Sequence, residues 1–129
     1  MTDKELIALA FEAKGKAYSP YSGFSVGAAL LCADGSVFYG CNIENAAYSP
    51  SVCAERTAIF SAVANGKRGF TAIAVVGDKN PCPPCGVCRQ VMSEFCGIEF
   101  KIIVAKSENE YIVKTLGELL PMSFSKETL

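Results

Sequence analysis

Phe70-Thr71-Ala72-Ile73-Ala74-Val75-Val76 leads through a proline-rich stretch, Asp78 to Pro84, into Cys85-Gly86-Val87-Cys88. The first segment is β-branched and apolar, which suits a central strand. Prolines between it and Cys85 keep the chain in a loop, and a helix is expected from about Cys85 to Cys96-Gly97. Phe100 to Ala105 is a second buried strand. Strand, helix and strand in that order predict parallel neighbours in one sheet.

The pattern extends in both directions. Upstream, Ser49-Pro50-Ser51 enters a helix predicted over 52–64, which Asn65-Gly66 stops. Before it, 25–32 and 37–43 read as strands joined by a hairpin at Asp34-Gly35, since both residues tolerate left-handed dihedrals. Thr2 and Glu5 form a capping box ahead of a helix predicted over 3–17. Downstream, 111–113 should pair back on 100–105, and Thr115 with Glu118 caps a short helix that Pro121 ends. Without a linker or repeat, residues 1–129 are expected to form one α/β domain. The starts of the second and third helices should share one sheet edge, where such sheets place their sites.

The chain has seven cysteines and no histidine. An odd count argues against a fully paired disulfide framework. The opening Thr2-Asp3-Lys4-Glu5 lacks an export signal, and no apolar run approaches the roughly 18 residues that cross a bilayer. A reduced, cytoplasmic protein without a membrane partner is therefore expected. The formal net charge is -1, and Lys and Arg do not cluster. That pattern excludes a phosphate-tracking groove and points to a small or neutral substrate rather than nucleic acid.

Cys85 and Cys88 have metal-ligand spacing, and on a first helical turn both sulfurs share a face. Cys53, at the other helix start, can supply a third ligand. Three protein ligands leave zinc's fourth tetrahedral position for water, the pattern of a catalytic centre. Glu55, two residues on, can reach the same space and move protons. Arg56 can donate to the sulfurs and offset the negative charge of three thiolates around Zn²⁺. Cys82 with Cys85 repeats the spacing one step earlier. Pro83 and Pro84 make that register a poor helix start, so Cys85 and Cys88 are preferred.

Cys53-Ala54-Glu55 followed by Pro84-Cys85-Gly86-Val87-Cys88-Arg89-Gln90 resembles the signature of the zinc nucleoside deaminases, in particular the small homotetrameric cytidine deaminases. The similarity extends to Phe24-Ser25-Val26-Gly27-Ala28-Ala29-Leu30, Gly40-Cys41-Asn42-Ile43-Glu44-Asn45 and Glu118-Leu119-Leu120-Pro121. The resemblance implies a three-layer α/β/α fold with a mixed five-stranded sheet. It implies one zinc per subunit on Cys53, Cys85 and Cys88, with Glu55 as proton shuttle. Phe24, Ala54, Asn42 and Glu44 would contact the nucleoside, the last two at the ribose. Phe124 would enter a neighbouring subunit's site. The implied reaction converts cytidine or 2′-deoxycytidine to the uridine with loss of ammonia.

Each residue also has an ordinary role available. A lone Phe24 suits a core, and Glu55 suits any helix start. Cys32, Cys41 and Cys96 read as core residues. Competing functions are deamination of another cytosine nucleoside such as blasticidin S, or a non-catalytic zinc-stabilised binding module. The ribose-type Asn42 and Glu44 argue against the first, and Glu55 with only three ligands against the second.

Overall fold

The computed structural model describes residues 1–78 and 81–129; residues 79 and 80 of the expected proline-rich loop lie outside that description. In chain order the elements are α1 (Asp3–Lys14), β1 (Val26–Cys32), β2 (Val37–Cys41), α2 (Ala54–Ala64), β3 (Phe70–Gly77), α3 (Gly86–Phe95), β4 (Lys101–Ser107), β5 (Glu110–Thr115) and α4 (Leu116–Leu119). The strands form one mixed sheet in the order β2-β1-β3-β4-β5. β1 runs antiparallel to both its neighbours, β3 and β4 are parallel across α3, and β5 returns antiparallel to β4.

Alternation along the strands divides the core in two. Leu30, Ile73 and Ile102 face a cluster with Ala58 and Ile59 of α2 and Cys88 and Met92 of α3. Ala29, Ala72, Ala74 and Ile103 face the opposite way, against Leu6, Ile7 and Ala10 of α1. One helix on one face and the others on the opposite face make the three layers that the resemblance implies.

The observed boundaries differ locally from the sequence expectation, for identifiable reasons. Helix α1 stops at Lys14 rather than near residue 17. From Gly15 on, the N–H groups of Gly15, Lys16 and Ala17 bond three residues back instead of four, a tightened last turn. β2 ends at Cys41 rather than 43, because Ile43 leaves the sheet to bridge Tyr18 and Val52. At the first hairpin only Gly35 takes a positive φ, of 89°. Gly35 N–H bonds the Cys32 carbonyl at 3.0 Å and Cys32 N–H the Ser36 carbonyl at 2.8 Å, so a left-handed glycine closes the expected hairpin.

Two helix starts meet at one sheet edge. α2 follows β2 and α3 follows β3, and these strands point the same way on either side of β1. Gly40 lets α2 sit close. A Cβ there would lie 2.1 Å from the Ala54 carbonyl oxygen and 2.5 Å from the Ala58 nitrogen, so only hydrogen fits.

Candidate metal centre and active site

Both helices that carry the cysteine motifs begin on a cysteine. Cys53 is the N-cap of α2 and Cys85 the N-cap of α3, each with extended backbone. The Cys85 sulfur takes the place of the usual capping oxygen and accepts the Cys88 N–H at 3.5 Å. The Sγ atoms of Cys53, Cys85 and Cys88 lie within 4.8 Å of one another. Cys53 and Cys85 sulfurs are 3.8 Å apart, and those of Cys85 and Cys88 are 3.5 Å apart. Bonds of about 2.3 Å in a tetrahedron place two sulfurs about 3.8 Å apart, so these residues fit a zinc ion. All seven cysteines are free thiols. Cys82 is not among the three that converge; it stands half-buried in the wall of the same cleft.

The electrostatics around the sulfurs suit a cation. A hydrogen bond from the Cys88 thiol, joined by Arg56 and Cys85, outweighs burial and lowers Cys53 to about 5, leaving a thiolate at neutral pH. Donation to Cys53, with burial added, pushes Cys88 the other way. The Arg56 Nη2 donates to Cys53 Sγ at 3.4 Å. The Arg56 Nε is buried and has no hydrogen-bond partner among the described residues.

Glu55 occupies the first turn of α2 and is only 3% exposed. Burial, reinforced by the Cys53 charge, raises its carboxyl to about 7. A carboxyl poised near neutrality both accepts and returns a proton at little cost.

The cleft beside this cluster, about 390 Å³, is lined by Glu55, Phe24, Asn42, Glu44 and Ala54, with Cys82 and Pro83 on one wall. Phe24 is 37% exposed, and its ring tip would lie 3.0 Å from a Cβ on Gly77. Asn42 and Glu44 also hold the cleft's own backbone. The Asn42 amide donates to the Phe24 carbonyl at 2.8 Å and accepts the Val26 N–H at 2.9 Å. Glu44 Oε1 accepts the N–H groups of Tyr21 at 2.9 Å and Ser22 at 3.1 Å, and the Ser22 hydroxyl donates to Oε2. Those bonds, led by the Ser22 hydroxyl, keep Glu44 below the usual carboxylate range. One acceptor position on each group remains for a ligand.

Phe124 does not line this cleft. It is 59% exposed, and its carbonyl accepts the Gln90 amide at 2.9 Å. The sequence pattern missed Ser22, Ser51, Val26 and Val52, which also line the space. Ser22 lies in a turn whose serine is unremarkable until Glu44 folds onto it.

A three-sulfur cluster beside a buried acid–base carboxylate, in a cleft at a sheet edge, defines a metal-dependent hydrolytic enzyme. Residues 1–105 match the family model for the cytidine and deoxycytidylate deaminase zinc-binding region. Cytidine deaminase of Sporosarcina psychrophila is 50% identical over 130 residues, covering 100% of this chain and 96% of that one. The cytidine deaminase of Halalkalibacterium halodurans is also 50% identical, with 100% and 98% covered. Among solved structures, the Burkholderia pseudomallei cytidine deaminase superposes with a TM-score of 0.92 at 50% identity, covering 96% of this chain and 100% of that one. The Mycobacterium tuberculosis enzyme gives 0.84 at 38% identity, covering 96% and 98%. The chain belongs to the cytidine and deoxycytidylate deaminase family and is a zinc-dependent hydrolytic deaminase.

Proposed function

We propose that residues 1–129 form one catalytic domain that hydrolyses the C4 amino group of cytidine and 2′-deoxycytidine, yielding the uridines and ammonia. The observation that carries this is the convergence of three cysteine sulfurs on a cleft that also holds a buried, near-neutral Glu55. Cys53, Cys85 and Cys88 are the proposed zinc ligands. When bound, zinc acidifies a water molecule and so supplies a nucleophile at neutral pH.

The remaining steps belong to side chains. Glu55 takes one proton from water and passes it to N3 as oxygen adds at C4, then takes the remaining proton from the new C4 hydroxyl and delivers it to the departing amine as the C4 carbonyl forms. Its burial in the first turn of α2 keeps that carboxyl beside the sulfurs and out of bulk solvent. Arg56, already bonded to the Cys53 sulfur, offsets the thiolate charge that would otherwise weaken acidification of water. The Phe24 ring offers a flat apolar face to the pyrimidine. Asn42 and Glu44, fixed by their backbone bonds, present their spare acceptors to the ribose hydroxyls. Ala54 lines the same cleft without a side chain that would block it.

The proposed assembly is a homotetramer in which Phe124 reaches a neighbour's cleft. Supporting this, Tyr21, Tyr48 and Phe124 are respectively 52%, 75% and 59% exposed. Tyr21 and Tyr48 also border a hollow beside Glu44. Light scattering tests the assembly. A cytoplasmic setting is supported by seven free thiols, and no helix among the described residues is long and apolar enough to cross a membrane.

The test follows the fall in absorbance as cytidine becomes uridine. Glu55→Gln should retain zinc and lose about 10²–10⁴-fold in kcat. Unchanged turnover in that variant would remove Glu55 from the mechanism.

A further inference from the structure

Arg89 neither lines the cleft nor touches the three sulfurs, yet its guanidinium is committed to two backbone carbonyls on separate segments. Nε donates to the Pro84 oxygen at 2.8 Å, and Nη1 donates to the Leu119 oxygen at 2.7 Å. Pro84 is fully buried and immediately precedes Cys85. Helical bonding in α3 begins at the Cys85 carbonyl, which accepts the Arg89 N–H at 3.0 Å. The Pro84 carbonyl lies one residue outside the helix, so the α3 backbone cannot serve it. Helical side chains lean toward the N-terminus, and Arg89 thereby reaches back to it.

The same fork closes on the end of α4. Leu119 is that helix's last residue. The next α3 residue, Gln90, donates to the Phe124 carbonyl at 2.9 Å. One short stretch of α3 therefore carries Cys88, then the two side chains that moor the carboxy-terminal segment. A planar guanidinium can hold two carbonyls in fixed directions, whereas an ammonium on a flexible stem holds that geometry poorly.

We propose that Arg89 is a positioning residue that joins the Cys85–Cys88 turn to residues 119–124, so that metal occupancy and seating of that segment reinforce each other. The proposal rests on Cys53, Cys85 and Cys88 being the zinc ligands. Coupling of this kind is reciprocal: whatever factor metal adds to seating, seating adds to metal affinity.

The experiment compares full-length zinc-loaded protein with Arg89→Gln and Arg89→Lys. Zinc release to excess chelator is followed with a chromophoric indicator. Amide hydrogen exchange over residues 116–125 is measured in loaded and stripped protein. In the unsubstituted protein, stripping should speed exchange across 116–125. Arg89→Gln should release zinc about tenfold faster, near the lower end for lost supporting contacts, and its exchange there should no longer respond to zinc. Arg89→Lys, which keeps the charge, should fall between the two. Amides of β1 and β3 should exchange unchanged in both variants, which a general loss of fold would not allow.

Unaltered zinc release in both variants overturns the proposal. So does exchange over 116–125 that ignores zinc in the unsubstituted protein. Lack of bound zinc in the unsubstituted protein also overturns it, and that outcome separately condemns the ligand assignment.

Discussion

Replacing Glu55 with Gln should change how the stability of the zinc-stripped protein depends on pH. In the folded, metal-free chain the carboxyl lies at about 7, against 4.5 for an ordinary glutamate, chiefly because it is buried. Below the unfolded value both states are protonated and the burial costs nothing. Between that value and the folded one the unfolded chain ionises while the folded one stays protonated, so stability falls until pH has passed the folded value. The full gap converts to ~3 kcal/mol at about 1.4 kcal/mol per pH unit. Glu55→Gln keeps the shape and hydrogen-bonding capacity but cannot ionise. Cys53, whose pKa is depressed instead, contributes the opposite slope in both proteins, and it largely cancels in the difference. Urea unfolding under reducing conditions, at matched protein concentration and at pH 5 and 8, measures that difference. Relative to Glu55→Gln, the unsubstituted protein should lose about 2–3 kcal/mol between the two pH values. A difference that does not vary with pH would refute the claim that Glu55 is buried and raised.

Three further outcomes follow from contacts at the site. Gly40→Ala drives a methyl into the Ala54 carbonyl and the Ala58 nitrogen, backbone atoms that cannot rotate away. It should cost about 1–3 kcal/mol in thermal or urea unfolding and weaken zinc retention, because α2 carries Cys53 and Glu55. Glu44→Gln should raise KM for cytidine about tenfold or more with kcat less affected, since a charged acceptor is worth about 1.5–3 kcal/mol; steady-state kinetics checks this. Arg56→Gln should retain most of its zinc while kcat falls about 10–100-fold, and a variant of full activity would remove Arg56 from the mechanism.

Much of this was legible from residue types and spacing. β-branched runs gave the strands, and the Thr2–Glu5 and Thr115–Glu118 boxes gave two helix starts, because those signals act within a few residues. The two cysteine motifs could be placed at helix beginnings for the same reason. The hairpin at Asp34-Gly35 was read in the right place, and the structure adds that Gly35 alone takes the left-handed conformation. Contacts between distant segments left no local trace. Gly40 looks like a weak strand residue until α2 packs on it, and Arg89 looks like a surface cation until Pro84 and Leu119 converge on it. Asn42 and Glu44 were legible only through the family resemblance, because both lie just past the end of β2 rather than on a strand face. Their backbone bonds to Phe24, Val26, Tyr21 and Ser22 depend on a fold that brings the residue 21–26 segment alongside.

Zinc content per chain, measured by elemental analysis in Cys82→Ser and Cys88→Ser side by side, bears most directly on the metal centre. Cys82→Ser should keep about one zinc per subunit, whereas Cys88→Ser should lose most of it because a tetrahedral zinc site with an open position needs all three protein ligands. Zinc lost from Cys82→Ser and kept by Cys88→Ser would contradict the ligand set on which the proposed chemistry stands.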